Sequence, residues 1–435
     1  MPLSSFKGGI HPPDKKNLSA DKPISATKPP ARILIPLSQH LGAPCKAIVT
    51  VGQEVKKGEM IGEPTGFVSA PVHASVSGKV IAIGDFLNAM GKMVSSVVIE
   101  NNGNEEWTIL KDAPDYMNLS PEEMKEKIRA SGIVGMGGAA FPTVVKLSPP
   151  KEKPIDTVIL NGAECEPYLT GDYRLMLERP SEVIEGLRIF MKVLGVRKGF
   201  IGIEDNKPEA VKSIEKAAAG EGSVEVCSLP TIYPQGAEKM LIKTITGREV
   251  PPRALPMDVR VVVQNIGTAF AVFEAVRYGK PLIERVVTVT GEGIREPKNL
   301  LTKIGTLISH LIEECGGLQS DSLKVISGGP MMGFALSSLD IPVTKGTSGI
   351  VVMSENDIVH AESFSPCIRC GRCIDICPMG LMPSMLSIYA EKGLYEGAKE
   401  YGLFDCFECG SCAFVCPSKR PIVQLVRLAK SQVKP

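Results

Sequence analysis

The chain of 435 residues has no excess of charge of either sign, and this balance argues against a protein that binds a highly charged partner. Its 49 Lys and Arg residues nearly balance 48 Asp and Glu residues, which leaves a formal net charge of +1. Proteins that bind nucleic acid usually carry a basic excess or a basic stripe. We therefore expect no nucleic-acid partner.

Long hydrophobic runs are also missing. No segment approaches the roughly 20 apolar residues that a transmembrane helix needs, and the N-terminal MPLSSFKGGIHPP lacks the basic-then-apolar order of a signal peptide. A composition of 43% hydrophobic and 22% charged residues is typical of a soluble globular protein, and the length favours three or four domains. We expect a cytoplasmic protein with no membrane span of its own.

Cysteine is scarce over most of the chain and crowded at its end. Eight of the twelve cysteines lie between Cys367 and Cys416, and the others are scattered: Cys45, Cys165, Cys227 and Cys315. A secreted disulfide scaffold would spread its cysteines over a short chain, whereas clustered cysteines inside the cell usually bind metal. The distribution predicts a metal centre in the C-terminal part.

The crowded cysteines form two copies of one motif. CIRCGRCIDICP (367–378) and CFECGSCAFVCP (406–417) both read C-x2-C-x2-C-x3-C-P. In bacterial two-cluster ferredoxins the first three thiolates of such a run bind one [4Fe–4S] cluster, and the fourth, before proline, binds the other. The predicted ligand sets are Cys367, Cys370, Cys373 and Cys416 for one cluster, and Cys406, Cys409, Cys412 and Cys377 for the other.

Structural zinc is the alternative for these motifs, because it also uses Cys-x-x-Cys pairs. Zinc needs four ligands, so a duplicated four-cysteine run with terminal prolines exceeds its requirement. The spacer 378–405 consists mostly of good helix formers. The pattern therefore favours a helical two-cluster domain over a small β-hairpin ferredoxin.

The rest of the chain divides by the periodicity of its apolar residues. Helices alternate with short apolar strands after about residue 115, which predicts βαβ crossovers and a mainly parallel sheet; within this part, SPEEMKEKIRASG begins with a capping box of Ser120 and Glu123. A further helix is predicted for TKIGTLISHLIEEC (302–315). The predicted units are an extended arm (1–30), an all-β module (31–100), an α/β domain (115–283), a mixed β module (284–355) and the two-cluster domain (356–435).

A glycine-rich loop follows the first predicted helix of the α/β domain. Gly135, Gly137 and Gly138 would let backbone N–H groups approach a phosphate without obstruction by a Cβ atom, and Lys146 would add a positive charge. Glycines of this kind also serve simple turns. The loop is therefore a candidate phosphate site.

Polar residues follow several predicted strands of the same domain. Asn161, Glu164 and Glu166 come directly after the strand TVIL, at the edge where open α/β sheets bind ligands; a solvated acidic loop is the alternative. YPQGAEK (233–239) and VVVQNIGTAF (261–270) place further polar groups at strand-to-helix turns. Together these turns suggest one crevice. Cys165 lies among them, either as a neighbour of a redox group or as a small buried residue.

In order along the chain, these elements resemble the flavoprotein subunit of NADH-oxidising respiratory complex I. That family has Arg, Asp and Glu where this chain has Met136, Ala163 and Ala237. By this resemblance a Rossmann-like domain binds FMN and orients the nicotinamide of NAD(H) over it. The residues implied for this cofactor site are Gly135, Gly137, Gly138, Phe141, Lys146, Asn161, Glu164, Glu166, Tyr233, Gly236, Glu238 and Asn265.

The whole chain resembles the C subunits of Rnf complexes, which exchange electrons between ferredoxin and NAD. GGIHPP, IGEPTGFVSAPVHASVSGKV (61–80), NGAECEPYLTGDYRLM (161–176), GGPMMG (328–333) and both cysteine motifs fit that family in order. The resemblance implies a barrel-sandwich module over 31–100, which lacks a lysine at 65–69 and so should not be lipoylated, and a β-grasp module over 284–355. It also implies a peripheral place on the cytoplasmic face of the membrane, beside integral-membrane and other redox subunits, with ferredoxin as an indirect partner.

A flavin beside two clusters would convert between two-electron and one-electron transfer, because a flavin handles both. Two other functions remain open from the sequence. One is an electron relay without flavin, and the other is a subunit of a quinone-reductase or heterodisulfide type with a different donor. The C-terminal PIVQLVRLAKSQVK either docks on a membrane component or packs one face on its own domain.

Overall fold

The structure is a computed structural model that describes residues 5–220, 222–320, 324–355, 358 and 364–434. The arm before residue 31 is extended but not free. Strand β1 (Ile24–Ala26) pairs in parallel with a strand near residue 300, and Lys16 is buried. The described part of the arm is thus built into the protein.

An all-β module follows the arm. Two antiparallel sheets, with strand orders β2-β8-β7-β4 and β3-β5-β6, enclose a core that includes Ile35, Val72 and Val97. Alternation of apolar and polar residues along these short strands places one face of each sheet in that core. The strands are β2 (Arg32–Pro36), β3 (Cys45–Ala47), β4 (Glu54–Val55), β5 (Met60–Pro64), β6 (Val72–His73), β7 (Gly78–Leu87) and β8 (Met93–Asn101).

A parallel four-stranded sheet forms the centre of the α/β domain. Its order is β11-β10-β9-β12, and helices α4 and α7 pack against each other beside it. The strands are β9 (Thr157–Gly162), β10 (Gly199–Glu204), β11 (Val224–Leu229) and β12 (Val261–Asn265). The helices are α1 (Pro121–Ala130), α2 (Thr143–Lys146), α3 (Gly171–Glu178), α4 (Pro180–Leu194), α5 (Pro208–Ala217), α6 (Glu238–Thr246) and α7 (Ile266–Tyr278).

The predicted alternation of strands and helices in this domain is confirmed. The capping box at α1 is also present: the Ser120 side chain accepts a bond from the Glu123 N–H, and the Glu123 carboxylate accepts one from the Ser120 N–H. Because all four strands are parallel, their carboxyl ends meet at one edge of the sheet. The candidate site residues follow these ends.

A six-stranded mixed sheet comes next, in the order β1-β14-β13-β17-β15-β16. The strands are β13 (Glu284–Thr290), β14 (Lys298–Lys303), β15 (Lys324–Ser327), β16 (Phe334–Ala335) and β17 (Gly349–Met353), with helix α8 (Ile308–Glu314). The helix predicted over 302–315 was wrong at its start. Thr302 and Lys303 pair with Arg285 and Glu284 in the sheet, and Gly305, at φ +97°, lies between β14 and the helix.

The cysteine-rich part is helical. Its helices are α9 (Arg372–Asp375), α10 (Pro383–Glu391), α11 (Tyr395–Lys399), α12 (Ser411–Phe414) and α13 (Ile422–Gln432). Helices α10 and α11 lie in the spacer 378–405, which confirms its predicted helical character. The C-terminal α13 buries Ile422, Val426 and Ala429 against α10 and its surroundings, so one of its faces packs on its own domain. Among the described residues, no helix has both the length and the apolar content to cross a membrane.

Candidate cofactor sites

The carboxyl end of β9 is tied to the turn before α6. The Asn161 amide donates to the carbonyl oxygen of Gly236 at 2.8 Å, and its oxygen accepts from the Ala163 N–H at 3.2 Å. A Cβ atom on Gly236 would lie 3.1 Å from the Cys165 sulfur. Glycine at 236 therefore permits the close approach of two strand-end turns that the sequence placed in one crevice. Burial raises the pKa of the Cys165 thiol well above its ordinary value, so this thiol stays protonated.

Asn265 joins the end of β12 to the glycine loop. Its side-chain oxygen caps α7 by accepting from the Gly267 and Thr268 N–H groups at 2.8 and 3.3 Å. Its amide nitrogen donates to the Asp172 carboxylate at 2.6 Å. A Cβ atom on Gly137 would lie 2.9 Å from that same nitrogen. Gly137 is thus required for packing on Asn265.

Hydrogen bonds fix the backbone of the glycine loop, and the space beside Gly138 is left open. The Gly135 N–H donates to the Phe141 carbonyl at 2.8 Å. The Met136 N–H donates to the Thr268 hydroxyl at 2.9 Å, and its carbonyl accepts from Arg285 at 3.2 Å. At Gly138, a Cβ atom would meet no other group within 4 Å. The open side of the loop at Gly138 can therefore admit a ligand.

Lys146 and Glu238 form an ion pair. The Lys146 ammonium lies 2.7 Å from the Glu238 carboxylate and 3.3 Å from the Val263 carbonyl, and each side chain is about one-third exposed. Lys146, which the sequence offered as a positive charge for a phosphate, is thus paired with another residue of the predicted cofactor site.

Glu164 and Glu166 have separate partners. The Glu164 carboxylate accepts from the Asp172 and Tyr173 N–H groups at 2.7 and 3.3 Å, at the start of α3. Burial raises the pKa of the Glu164 carboxyl to about 7. Since helix N-termini stabilise negative charge, the contact opposes this shift. Glu164 helps to fix α3 against the strand end.

Glu166 faces the loop 328–333 of the mixed sheet. Its carboxylate accepts from the Met331 and Met332 N–H groups at 3.1 and 2.9 Å, and a Cβ atom on Gly329 would lie 2.2 Å from a Glu166 oxygen. Burial raises the pKa of the Glu166 carboxyl to about 7. Glu166 therefore links the α/β domain to the mixed β module.

Tyr233 reaches beyond the α/β domain. Its hydroxyl donates to the carbonyl oxygen of Cys409 at 2.7 Å and lies 3.5 Å from the Glu166 carboxylate. The ring is buried, and the backbone of Tyr233 forms two hydrogen bonds with Ile10 of the N-terminal arm. A residue predicted for the flavin site thus contacts the cysteine-rich domain directly.

Several buried charged residues were missed from the sequence. The Lys16 ammonium donates to the Glu166 and Leu169 carbonyls at 2.9 and 2.5 Å. Lys207 donates to the Ala163 carbonyl at 2.7 Å and to Glu204 at 3.0 Å. Glu204 is the last residue of strand β10. The sequence rule that polar residues at the carboxyl ends of parallel strands are site candidates would therefore have identified Glu204 and its partner Lys207. Nothing in the Pro- and Lys-rich arm singled out Lys16.

The eight clustered cysteines line two separate cavities. Three cysteines of one motif and the fourth cysteine of the other line each cavity. The first is lined by Cys367, Cys370, Cys373 and Cys416, and the second by Cys377, Cys406, Cys409 and Cys412. These are the groupings that the crossed-ligand prediction requires. The remaining lining of the second cavity includes apolar residues such as Leu386 and Val426.

Four cysteine side chains around one space suit a [4Fe–4S] cluster, whose ligands are thiolates. Within the described part of the chain, no three or more His, Cys, Asp or Glu side chains are grouped so as to hold a single metal ion. The Arg369 N–H lies 3.4 Å from the Cys367 sulfur; hydrogen bonds of this kind to cluster sulfurs tune reduction potential. The donor set therefore fits the predicted clusters.

Four protein families match consecutive parts of the chain. They are the RnfC barrel sandwich hybrid domain (residues 4–104), the Nuo51 FMN-binding domain (128–274), the SLBB domain (286–335) and the 4Fe-4S dicluster domain (366–420). The order agrees with the modules of the fold. These matches define a multidomain oxidoreductase component with an FMN-binding and a two-cluster iron–sulfur domain.

Full-length relatives identify the family. The C subunit of the proton-translocating ferredoxin:NAD(+) oxidoreductase complex of Clostridium ljungdahlii is 53% identical, over 99% of this chain and 94% of its own length. The C subunit of the Na(+)-translocating complex of Acetobacterium woodii is 47% identical, over 99% and 97%. The C subunit of the ion-translocating oxidoreductase complex of Rhodobacter capsulatus is 45% identical, over 99% and 84%. The chain belongs to this family of C subunits, which confirms the resemblance found in its motifs.

The fold extends to more distant proteins. The crystal structure of an NAD+-reducing [NiFe]-hydrogenase in the H2-reduced state matches with a TM-score of 0.50 and 17% sequence identity. The match covers 75% of this chain and 65% of the hydrogenase chain. At this identity the likeness concerns the fold alone.

Proposed function

We propose that the chain is the peripheral redox subunit of a membrane-bound, ion-translocating ferredoxin:NAD oxidoreductase. It exchanges hydride with NAD(H) at FMN and passes single electrons through two [4Fe–4S] clusters. The observation that carries this proposal is the 53% identity to the C subunit of such a complex over nearly the whole of both chains. The FMN-binding and dicluster domains supply the two cofactor types that the reaction needs.

Bound FMN would take up two electrons as hydride and release them one at a time. The open tip of the glycine loop at Gly138 would admit the flavin phosphate to backbone N–H groups. Lys146 would supply positive charge beside it, and Glu238 would accept hydrogen bonds from the nucleotide. Asn161 and Asn265 would hold the strand ends that shape the crevice. The full proposed set is Gly135, Gly137, Gly138, Phe141, Lys146, Asn161, Glu164, Glu166, Tyr233, Gly236, Glu238 and Asn265.

The two cavities would each hold one cluster with crossed ligation. Cys367, Cys370, Cys373 and Cys416 would bind the first cluster. Cys377, Cys406, Cys409 and Cys412 would bind the second. The grouping of the same cysteines around the two cavities supports this assignment.

We assign finer fold names to the modules on the same basis. The arm would end near residue 30, and a barrel-sandwich module without lipoylation would span 31–100. A Rossmann-like FMN and NADH domain would cover 115–283, a β-grasp module 284–355, and a helical ferredoxin domain 356–435. The parallel sheet, the mixed six-stranded sheet and the helical C-terminal part support these names.

The protein would lie on the cytoplasmic face of the cell membrane, attached to integral-membrane subunits. Its direct electron partners would be other redox subunits of the complex, and ferredoxin would exchange electrons with it only through them. The relatives are each one subunit of a complex, which supports the need for partners.

The test is an anaerobic titration of the chain, purified after reconstitution with FMN, iron and sulfide. Substoichiometric NADH should bleach the flavin absorbance and then reduce at least one cluster, seen by EPR. A chain that holds both clusters but no flavin, and that NADH does not reduce, would instead be an electron relay. A chain that other donors reduce while NADH does not would favour a quinone-reductase or heterodisulfide type of subunit.

A further inference from the structure

The two cysteine motifs have the same local backbone but different surroundings. Arg369 and Glu408 occupy the same place in the two runs, as do Gly371 and Gly410. Their φ angles agree, at 55° and 63° for the first pair and 80° and 82° for the second. Each motif therefore presents an equivalent face of five residues at its first three cysteines. We call residues 368–372 the outer face and residues 407–411 the inner face.

The rest of the protein covers the inner face. A Cβ atom on Gly410 would lie 2.8 Å from the carbonyl oxygen of Met331. The Tyr233 hydroxyl is bonded to the Cys409 carbonyl. Arg427 joins the inner face to the neighbouring loop, since it donates to Glu408 at 2.8 Å and to the Met332 carbonyl at 2.9 Å. The second cavity thus lies against the α/β domain and the mixed β module.

No described residue covers the outer face in this way. A Cβ atom on Gly371 would meet nothing within 4 Å, and Cys370, the counterpart of Cys409, is exposed. Ile368 has 66% of its surface exposed. The same backbone that is buried against Met331 in one motif is open to solvent in the other. Of the two cavities, the first is therefore the one that lies next to solvent.

The charges of the two faces are also opposite. On the inner face Glu408 is paired with Arg427 and Lys430. On the outer face Arg369 and Arg372 are exposed, and within the described ranges neither forms an ion pair. Lys419 adds a third exposed cation next to the cavity-lining Ser418. Of the acids nearby, Asp375 is exposed, and Glu391 is paired with the cavity-lining Arg420. The outer face is basic with an apolar centre.

We propose that the outer face is the docking surface for an electron-carrying protein whose redox group is surrounded by acidic side chains. This inference rests on the proposed function and adds the order of transfer: the second cluster exchanges electrons with the flavin side, and the first exchanges them with the partner. A protein partner fits better than an anionic lipid surface, because the basic residues surround the exposed cluster ligand Cys370. Complementary charge would steer the partner so that the two redox groups meet.

A photo-crosslinking experiment tests the surface in the assembled complex. A photoreactive residue at position 368 should crosslink to a subunit that carries a redox group. The matched control is Ile109, which is also apolar and is 94% exposed, and it should give no such product. Crosslinks from position 368 to lipid alone, to a subunit without a redox group, or to nothing would overturn the proposal.

Charge reversal tests the steering. Arg369→Glu combined with Lys419→Glu should slow electron transfer between ferredoxin and NAD by about tenfold at low salt, compared per mole of cluster iron, and high salt should shrink the difference. The control is Lys212→Glu with Lys216→Glu, the same change on the exposed side of α5, and it should stay within about twofold. Equal rates for the two double variants would overturn the proposal. Because NADH reduction of flavin in the isolated chain tests the proposed function separately, the two failures are distinguishable.

Discussion

The hydroxyl of Tyr233 donates a 2.7 Å hydrogen bond to the carbonyl oxygen of Cys409. This bond ties the α/β domain to the backbone of the second cysteine motif, directly at a predicted cluster ligand. The same hydroxyl lies 3.5 Å from Glu166, whose carboxylate holds the loop 328–333. Three modules therefore meet at one tyrosine side chain.

We predict that Tyr233→Phe loosens this junction without removing either cofactor. The Cys409 carbonyl would lose its donor, and a typical hydrogen bond contributes about 0.5–1.5 kcal/mol. Amide hydrogen exchange over 406–412 should quicken, while iron and flavin contents stay unchanged. Tyr278→Phe is the control, because Tyr278 is 43% exposed. Identical exchange in the two variants would mean that the bond does not hold the domains together.

We predict that Cys377→Ser removes the second cluster and spares the first. Cys377 belongs to the first motif by sequence but lines the cavity of Cys406, Cys409 and Cys412. Iron should fall from about eight to about four per chain, and the EPR signal of one cluster should vanish. Cys227→Ser, at a buried cysteine of β11, should keep all the iron. Loss of the Cys367, Cys370 and Cys373 cluster alone would contradict crossed ligation.

We predict that Gly137→Val and Gly138→Val both lower flavin content, but for different reasons. A Cβ atom on Gly137 would collide with Asn265, so this variant should also lower the thermal midpoint of the chain without flavin. The Cβ atom of Gly138 would enter open space, so Gly138→Val should leave that midpoint unchanged and block only the ligand.

The control for the glycine pair is Gly222→Val, where the added atoms also meet nothing within 4 Å. It should keep both the midpoint and the flavin. If Gly138→Val binds a full complement of FMN, the phosphate does not sit at the tip of this loop.

We predict that Glu166 makes the stability of the chain depend on pH. Burial raises the pKa of its carboxyl from 4.5 to about 7. Between these values the unfolded chain releases a proton that the folded chain retains, so a rise in pH favours unfolding. The stabilisation is fully present below 4.5 and is lost as the pH rises through about 7.

Glu166→Gln removes this titration, so its thermal midpoint should fall less than that of the parent chain between pH 5.5 and pH 8. The control is Glu249→Gln, at an exposed glutamate paired with Lys243. A variant that keeps the full pH dependence of the parent would show that another group is responsible.

We predict that Glu238→Gln weakens NADH oxidation with an artificial acceptor at NADH well below saturation. The change removes the charge that pairs with Lys146 and a hydrogen-bond acceptor for the nucleotide, a loss of about 1–3 kcal/mol. Flavin and cluster spectra should stay the same. Glu249→Gln, just beyond the same helix, should oxidise NADH at the parent rate. An unchanged rate for Glu238→Gln would place the nucleotide elsewhere.

Local patterns in the sequence predicted much of this architecture. Apolar runs separated by helix signals led to the parallel sheet, and the capping box at Ser120 marked the start of α1. The predictions of the sheet and of the cap are confirmed, because each depends on the local pattern within single strands and helices. The crossed assignment of the cysteines joins residues of two separate runs and stays a prediction, and the cysteines that it groups line the same two cavities.

Contacts between distant segments were not predictable in the same way. Thr302 and Lys303 read as part of a helix, but pairing with Arg285 and Glu284 draws them into a strand. Tyr233 was expected near the flavin, and its hydroxyl bonds to a residue 176 positions away. The sequence predicted no role for Asp172, yet its carboxylate accepts a hydrogen bond from the Asn265 amide. In each case tertiary packing decides what the side chain does.

Strand β1 leaves the ribosome long before the strand that receives it. Ile24 pairs with Asn299, and at about 5–20 residues per second the interval is on the order of tens of seconds. The earlier modules can fold as units during this time, and they can already bind Ile10 and Lys16 of the arm, while β1 stays unpaired. Only a chain translated past residue 301 can complete the pairing of β1, so prematurely terminated chains would leave residues 24–26 without their partner strand and open to proteolysis.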